Sequence, residues 1–186
     1  MLQKSHPHNY DRSHRKNRQT YEAIICENYR KIYRFMVYLT NDSILAEDLT
    51  QETFAAAWAD LVNYRSKAAM RTWLHRIAYN KFIDSKRKLK RSENFTAVLK
   101  ERAGDTQMTA FNPLKRLITE ETSLILLKAL HRLEKSDYVT VVLHYIQGLS
   151  FRQMSKILQE PVGTIKWRTS KALKELKKLL TDKVNP

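Results

Sequence analysis

The chain has 186 residues, 42% of them hydrophobic, which is material for one domain or two small ones. Thirty-four Lys and Arg against 19 Asp and Glu give a net charge of +15, so a polyanionic partner is expected, nucleic acid first and an anionic membrane second. Cys26 is the only cysteine, which excludes an intramolecular disulfide and a cysteine-rich zinc site. No stretch is apolar enough to span a membrane and the N-terminus has no apolar signal core, so a soluble, cytoplasmic protein is expected.

Residues 1–19 carry His6, His8 and His14 among Lys and Arg and almost no apolar periodicity, which predicts a disordered basic arm. With no orienting carboxylate and no helical histidine pair there, no metal is expected. From Thr20 to Leu39, the residues Ile24, Ile25, Tyr29, Ile32, Phe35, Met36 and Leu39 recur at threes and fours and predict an amphipathic helix. Thr40-Asn41-Asp42-Ser43 breaks it, and any of the last three suits the cap of the next helix.

That next helix, Ile44 to about Val62, has Asp42, Glu47, Asp48, Glu52 and Asp60 in or beside it and no Lys or Arg. Asp48, Gln51 and Glu52 sit at i, i+3 and i+4, with Phe54 and Trp58 on adjoining faces. Such carboxylates repel phosphate, so this face points to a basic protein partner, and the plain alternative is a solvated acidic face. Two carboxylates four apart also occur in metal and acid–base sites, but no histidine completes one, and neither catalysis nor a cofactor is expected.

Asn63–Ala69 leads into Met70–Arg91, a stretch without Gly or Pro. Between Asn63 and Glu93 there are ten Lys or Arg against Asp84 and Glu93, so the charge is concentrated here. Trp73, Arg76, Asn80, Asp84 and Arg87 line one helical stripe, while Met70, Leu74, Ile77 and Ala78 lie on another face. Indole planes stack on bases, guanidinium and ammonium groups hold phosphates, and a carboxamide pairs with a base edge. The plain alternative is a solvated basic helix with a half-buried Trp.

Residues 92–118 lose periodicity around Gly104, Asp105, Asn112 and Pro113 and read as a flexible linker, with a frayed helix around Phe95–Glu101. Ile118–Leu133 is strongly apolar, Ser136 or Asp137 suits the cap of a further helix, and Gly148 ends that helix. Ser150 and Gln153 form a capping box, opening a short helix with Phe151, Met154, Ile157 and Leu158 inward. Pro161 then hands over to a last helix with Ile165, Thr169, Ala172, Leu176 and Leu179 inside and Thr164, Trp167, Arg168, Lys171, Lys174 and Lys178 outside. This predicts a helix-turn-helix, whose second helix enters the major groove, against the plainer reading of a lysine-rich helical hairpin.

In this order and spacing the motifs resemble the extracytoplasmic-function group of bacterial RNA polymerase sigma factors. The similarity covers about Tyr21–Lys90 and Leu133–Leu180, through AEDLTQETF with Trp58, TWLHRIAYNKFIDSKRK, and LHYIQGLSFRQMSKIL followed by PVGTIKWRTSKALKEL. The resemblance implies an all-α fold of two small domains joined by a flexible linker. The arm would be 1–19, region 2 would be 20–91, the linker 92–118, and region 4, the helix-turn-helix, 119–183. It implies that Asp48, Gln51 and Glu52, supported by Phe54 and Trp58, meet the clamp helices of core RNA polymerase, with the flap as a further contact. It implies minus-ten promoter DNA for Tyr64, Arg65, Trp73, Arg76, Asn80, Arg87 and Lys88, with an extruded base near residues 63–69. It implies minus-thirty-five DNA for Thr164, Lys166, Trp167, Arg168 and Lys171.

Two of these assignments have structural alternatives: Asp84 as an ion-pair partner of Arg87 or Lys88, and Trp73 as a core wedge. An inhibitory anti-sigma factor, often membrane-bound, is implied as well. The chain departs from the family pattern at Ser155, commonly Ala, at Gln159, often Gly, and at Trp167, usually small and polar. The rival is a helix-turn-helix regulator acting without polymerase, which leaves the acidic face and the Trp73–Asn80 stripe without a role.

Overall fold

The structure, a computed structural model, describes residues 8–61, 64, 70–99, 126 and 128–184. Helix α1 spans His8–Thr40, α2 Ser43–Asp60 and α3 Met70–Leu99. After a helical stretch around 128–130, α4 (Lys135–Val141) runs into a π-helical turn, Val142–Ile146, followed by α5 (Phe151–Leu158) and α6 (Val162–Val184). The all-α expectation holds, and every described element is helical.

Helix α1 contains no Gly or Pro and buries Ile24, Asn28, Ile32, Phe35 and Met36 along one side. The buried amide of Asn28 is satisfied by donating to the Ile24 carbonyl at 3.0 Å. The helix starts at His8, twelve residues ahead of the expected Thr20, so the arm is helical from that point although it lacks an apolar stripe. Asn41 stops it in the left-handed conformation, φ 55°, which Asn tolerates better than most residues. Asp42 then caps α2, its carboxylate accepting from the Ile44 and Leu45 amides at 2.8 and 3.1 Å. A cap of this kind contributes about 1 kcal/mol.

Helix α2 turns Ala46, Leu49, Thr50, Thr53, Phe54 and Ala57 inward. The Thr50 and Thr53 hydroxyls each donate to the carbonyl four residues back at 2.6 Å, which lets them sit in the core. Helix α3 lays Leu74 and Ala78 on the same core and continues to Leu99, eight residues into the stretch expected to be linker. Residues 100–125, which hold the rest of the expected linker and part of the apolar 118–133 helix, lie outside the described residues.

The C-terminal unit has its own small core of Ala129, Leu130, Leu133, Val141, Ala172 and Leu176. Gly148 ends the π turn at φ 64°, where the missing Cβ permits the left-handed turn, and the Leu149 amide donates back to the Leu143 carbonyl at 3.0 Å. The expected cap at Ser136 or Asp137 is displaced to Glu134, which makes no side-chain cap bond. Asp137 instead points inward, where its carboxylate meets the Lys171 ammonium at 2.9 Å.

The two units do not stand apart. Val142, Leu143, Leu149, Met154, Ile157 and Ile165 form one apolar cluster with Ile32, Phe35, Leu74 and Ala78, and α5 lies along α3. Polar contacts cross the same seam. The Tyr138 hydroxyl donates to the Tyr38 carbonyl at 2.8 Å, and the His75 Nε2 lies 3.4 Å from the Gln147 side-chain amide.

Candidate polymerase and nucleic-acid interfaces

Helix α2 buries one side and offers the other, where Asp48, Gln51 and Glu52 are all exposed. Its acidity is partly met from within. Glu52 pairs with Lys81 of α3 at 3.3 Å, and the Gln51 amide donates to Glu47 at 3.3 Å. Glu47 also accepts a short bond from the Tyr29 hydroxyl. That bond, together with burial, pushes the Tyr29 phenol up to about 12, so it stays protonated and donating. Asp48 and Glu52 from α2 and Asp84, Arg87 and Lys88 from α3 flank a groove of about 380 Å³, acidic on one wall and mainly basic on the other.

Trp58 is 44% exposed at the end of this face, with its ring 4.5 Å from that of Tyr21. Phe54, expected on an adjoining face in support of the acidic residues, does not reach the surface. It is buried, stacks on Tyr29 with centroids 5.8 Å apart, and fixes α2 from beneath. Period 3.6 puts Phe54 about 160° from Glu52 and about 120° from Asp48 rather than beside them.

On α3 the predicted stripe is real, and it is graded. Arg76, Asn80, Arg87 and Lys88 are exposed, whereas Trp73 is half-buried against Tyr64, ring centroids 4.8 Å apart. Trp73 thus packs in part, in line with the wedge alternative, and is in part accessible beside Tyr64. Arg65 lies outside the described residues. Asp84 pairs with Arg87 at 3.4 Å, in line with its structural alternative. Both groups are well exposed, and such a pair contributes at most a few tenths of a kcal/mol.

The stripe is set beside a second, inward side of α3 that sequence periodicity assigned to the first unit alone. His75 is 1% exposed, its ring 5.2 Å from Phe35. Its Nδ1 bonds to the Arg71 carbonyl at 2.8 Å, which fixes the proton on that nitrogen if the ring is neutral. Burial pulls its pKa down to about 4, so it is uncharged at neutral pH. The signal for this residue was available: a histidine one position past Leu74 and three before Ala78, within the inward arc.

In the helix-turn-helix, the capping box forms as expected. The Gln153 amide donates to the Ser150 hydroxyl at 3.3 Å, and the Ser150 amide donates to the Gln153 side chain at 2.9 Å. Gln159 takes the left-handed turn position at φ 57°, where glycine would be unstrained. On α6, Ile165, Thr169, Ala172 and Leu176 face inward, and Lys166 and Trp167 are exposed.

Two of the expected DNA readers are already engaged. Arg168 donates through Nη1 to both carboxylate oxygens of Glu160 at 2.6 Å. Lys171 pairs with Asp137, itself 1% exposed, at 2.9 Å and with Glu134 at 3.5 Å. The bond to Asp137 is the main cause of a raised Lys171 pKa. These partners lie outside the helix, so helical spacing gave no sign of them. Thr164 is half-buried on the flank of α6. Among the described residues no group of three or more His, Cys, Asp or Glu is arranged to hold a metal ion, and no helix is long and apolar enough to cross a membrane.

Residues 24–92 match the family model Sigma-70 region 2. Over 166 residues, 89% of this chain and 95% of the relative, the sequence is 30% identical to the RNA polymerase sigma factor YlaC of Bacillus subtilis. It is 31% identical to the ECF RNA polymerase sigma factor SigW of the same organism, covering 86% of this chain and 89% of that one. In fold it is similar to the sigma factor RpoE crystallised with the anti-sigma factor NepR from Bartonella quintana, with a TM-score of 0.74 and 24% identity over 90% of this chain and 99% of that one. A second similar fold is CnrH in complex with the cytosolic domain of CnrY, with a TM-score of 0.63 and 20% identity over 89% of this chain and 90% of that one.

Proposed function

Because the chain belongs to the extracytoplasmic-function group of RNA polymerase sigma factors, we propose that its exposed faces divide the work of that group between them. A sigma factor is a regulatory subunit: it joins core RNA polymerase and directs initiation to particular promoters. In this chain α2 is the polymerase-facing side, through Asp48, Gln51 and Glu52, with Trp58 extending it. Phe54 acts only by holding α2 in place. Arg76 and Asn80 of α3 face the nucleotides of the minus-ten element, and Arg87 and Lys88 hold phosphates. Tyr64 and Trp73 sit where an extruded base would stack, and that capture offsets an unstacking cost of a few kcal/mol. Helix α6 enters the major groove at the minus-thirty-five element.

The observation that carries this reading is the coexistence, on adjacent helices, of an exposed acidic face and an exposed Arg76–Asn80 stripe. A duplex-binding regulator would need only the helix-turn-helix. Both elements are read at once only if the two units separate. By their names the two elements are centred about 25 base pairs apart, roughly 85 Å at 3.4 Å each, and a packed body of this length is about 40 Å across. An inhibitory anti-sigma partner belongs to the same reading, and NepR is such a partner of the similarly folded RpoE.

The test is run-off transcription from genomic fragments with core polymerase, with and without the purified chain. New transcripts with discrete start sites are expected only when both are present. Transcription unchanged by the chain would overturn the proposal.

A further inference from the structure

On α6 the buried stripe Ile165, Thr169, Ala172 and Leu176 defines the side that faces away from any groove. At 100° per residue Trp167 lies almost opposite the middle of that stripe, in the second turn of the helix. It is 63% exposed. The N-terminal turns of a recognition helix are the part that meets base edges, so Trp167 holds the most forward position available. Gly163, one turn earlier on the same line, adds no bulk, and a Cβ built there would meet nothing within 4 Å. A base-pair edge can therefore come close to the indole.

Two of its neighbours on this face, Arg168 and Lys171, already carry partners within the fold, while Lys166 beside it is exposed. Arg168, otherwise suited to bidentate pairing with guanine, spends its Nη1 on Glu160. Lys171 is held by Asp137 and Glu134, and its ammonium lies 5.7 Å from the centroid of the Trp167 ring. A lysine anchored in this way covers one side of the indole and limits its swing, so the ring is oriented before DNA arrives. An indole has one N–H donor and no acceptor, so it cannot form the paired hydrogen bonds that identify guanine or adenine. The major-groove feature that a broad apolar surface does recognise is the C5-methyl group of thymine.

Resting on the major-groove reading of α6 proposed above, we infer that Trp167 is a specificity-determining residue that selects thymine in the upstream promoter element through its methyl group. Uracil isolates this contact, since it keeps the base pairing and every hydrogen-bonding group of thymine and lacks only that methyl.

The experiment measures holoenzyme binding and run-off transcription on a promoter mapped for this chain, with the thymines of the upstream element replaced by uracil, first together and then singly. The wild-type chain should bind the uracil promoter about three- to five-fold more weakly, as expected for one buried methyl contact, with one position accounting for most of the loss. Trp167→Ala should bind the thymine promoter more weakly and respond equally to thymine and uracil, while Trp167→Phe should keep part of the preference. Circular dichroism of both variants should match wild type, because the side chain is mostly in solvent. Equal binding of both promoters by wild type, as a phosphate contact or a protein-docking role for Trp167 would give, overturns the inference alone. So does an undiminished preference in Trp167→Ala. No specific transcript from the unmodified promoter overturns both this inference and the sigma-factor reading beneath it.

Discussion

His75 shows how one residue joins two parts of the chain and makes their packing sensitive to acid. It is neutral and enclosed, with Arg71 and Lys31 also disfavouring its charge, and its pKa is lowered to about 4. In the unfolded chain it titrates near 6.5. Above that value neither state holds the extra proton and the full stability is present. As pH falls from 6.5 toward 4, only the unfolded state takes the proton up, so stability is lost across that window. Between pH 7 and 5 the loss should be about 2 kcal/mol. Urea denaturation at the two pH values should show it in wild type and show a much smaller change in His75→Phe. An equal pH response in both proteins would mean that the histidine is not buried in this way. Leu74 and Ala78 are legible as core residues because apolar spacing is visible along a helix. His75 lies in the same inward arc, but its partners Phe35 and Gln147 are far away in the chain and helical spacing does not indicate them.

At the scale of elements, caps and turns follow local chemistry and were readable, whereas pairings across elements were not. The Asp42 cap and the Ser150–Gln153 box depend on residues within three positions of each other, and both form as the sequence indicates. Gln159 is the informative departure. It occupies a left-handed position that costs a non-glycine residue about 1–2 kcal/mol. Gln159→Gly should therefore raise the unfolding free energy by about 1 kcal/mol in chemical denaturation, after allowing for the greater freedom of glycine in the unfolded chain. A loss of stability would show that the glutamine side chain contributes more than its backbone conformation costs. The outer face of α6 was legible as basic, but Arg168 and Lys171 are tied to Glu160, Asp137 and Glu134, and only the folded arrangement reveals it. This leaves Lys166 and Trp167 as exposed residues near the start of α6.

Across the whole molecule, the helical character, the helix-turn-helix and the contrast between an acidic α2 and a basic α3 all follow from residue periodicity and charge. The packing of one unit on the other does not. Val142, Leu143, Met154 and Ile157 show the same helical spacing whether they face their own unit or a neighbour, so the sequence could not tell a private core from a shared one. The functional account depends less on that packing than on the two exposed faces remaining distinct. Asn80→Ala removes an exposed carboxamide from α3 and should reduce promoter opening about ten-fold or more with polymerase binding unchanged. Glu52→Lys breaks the pair with Lys81 and reverses charge on α2, and should instead weaken polymerase binding. The most direct measurement follows both steps in parallel on the two purified variants, polymerase affinity by fluorescence anisotropy and strand opening by permanganate footprinting. The account predicts loss of opening alone in Asn80→Ala and loss of polymerase affinity in Glu52→Lys. Unchanged polymerase affinity in Glu52→Lys, or loss of that affinity in Asn80→Ala, would contradict the division of faces.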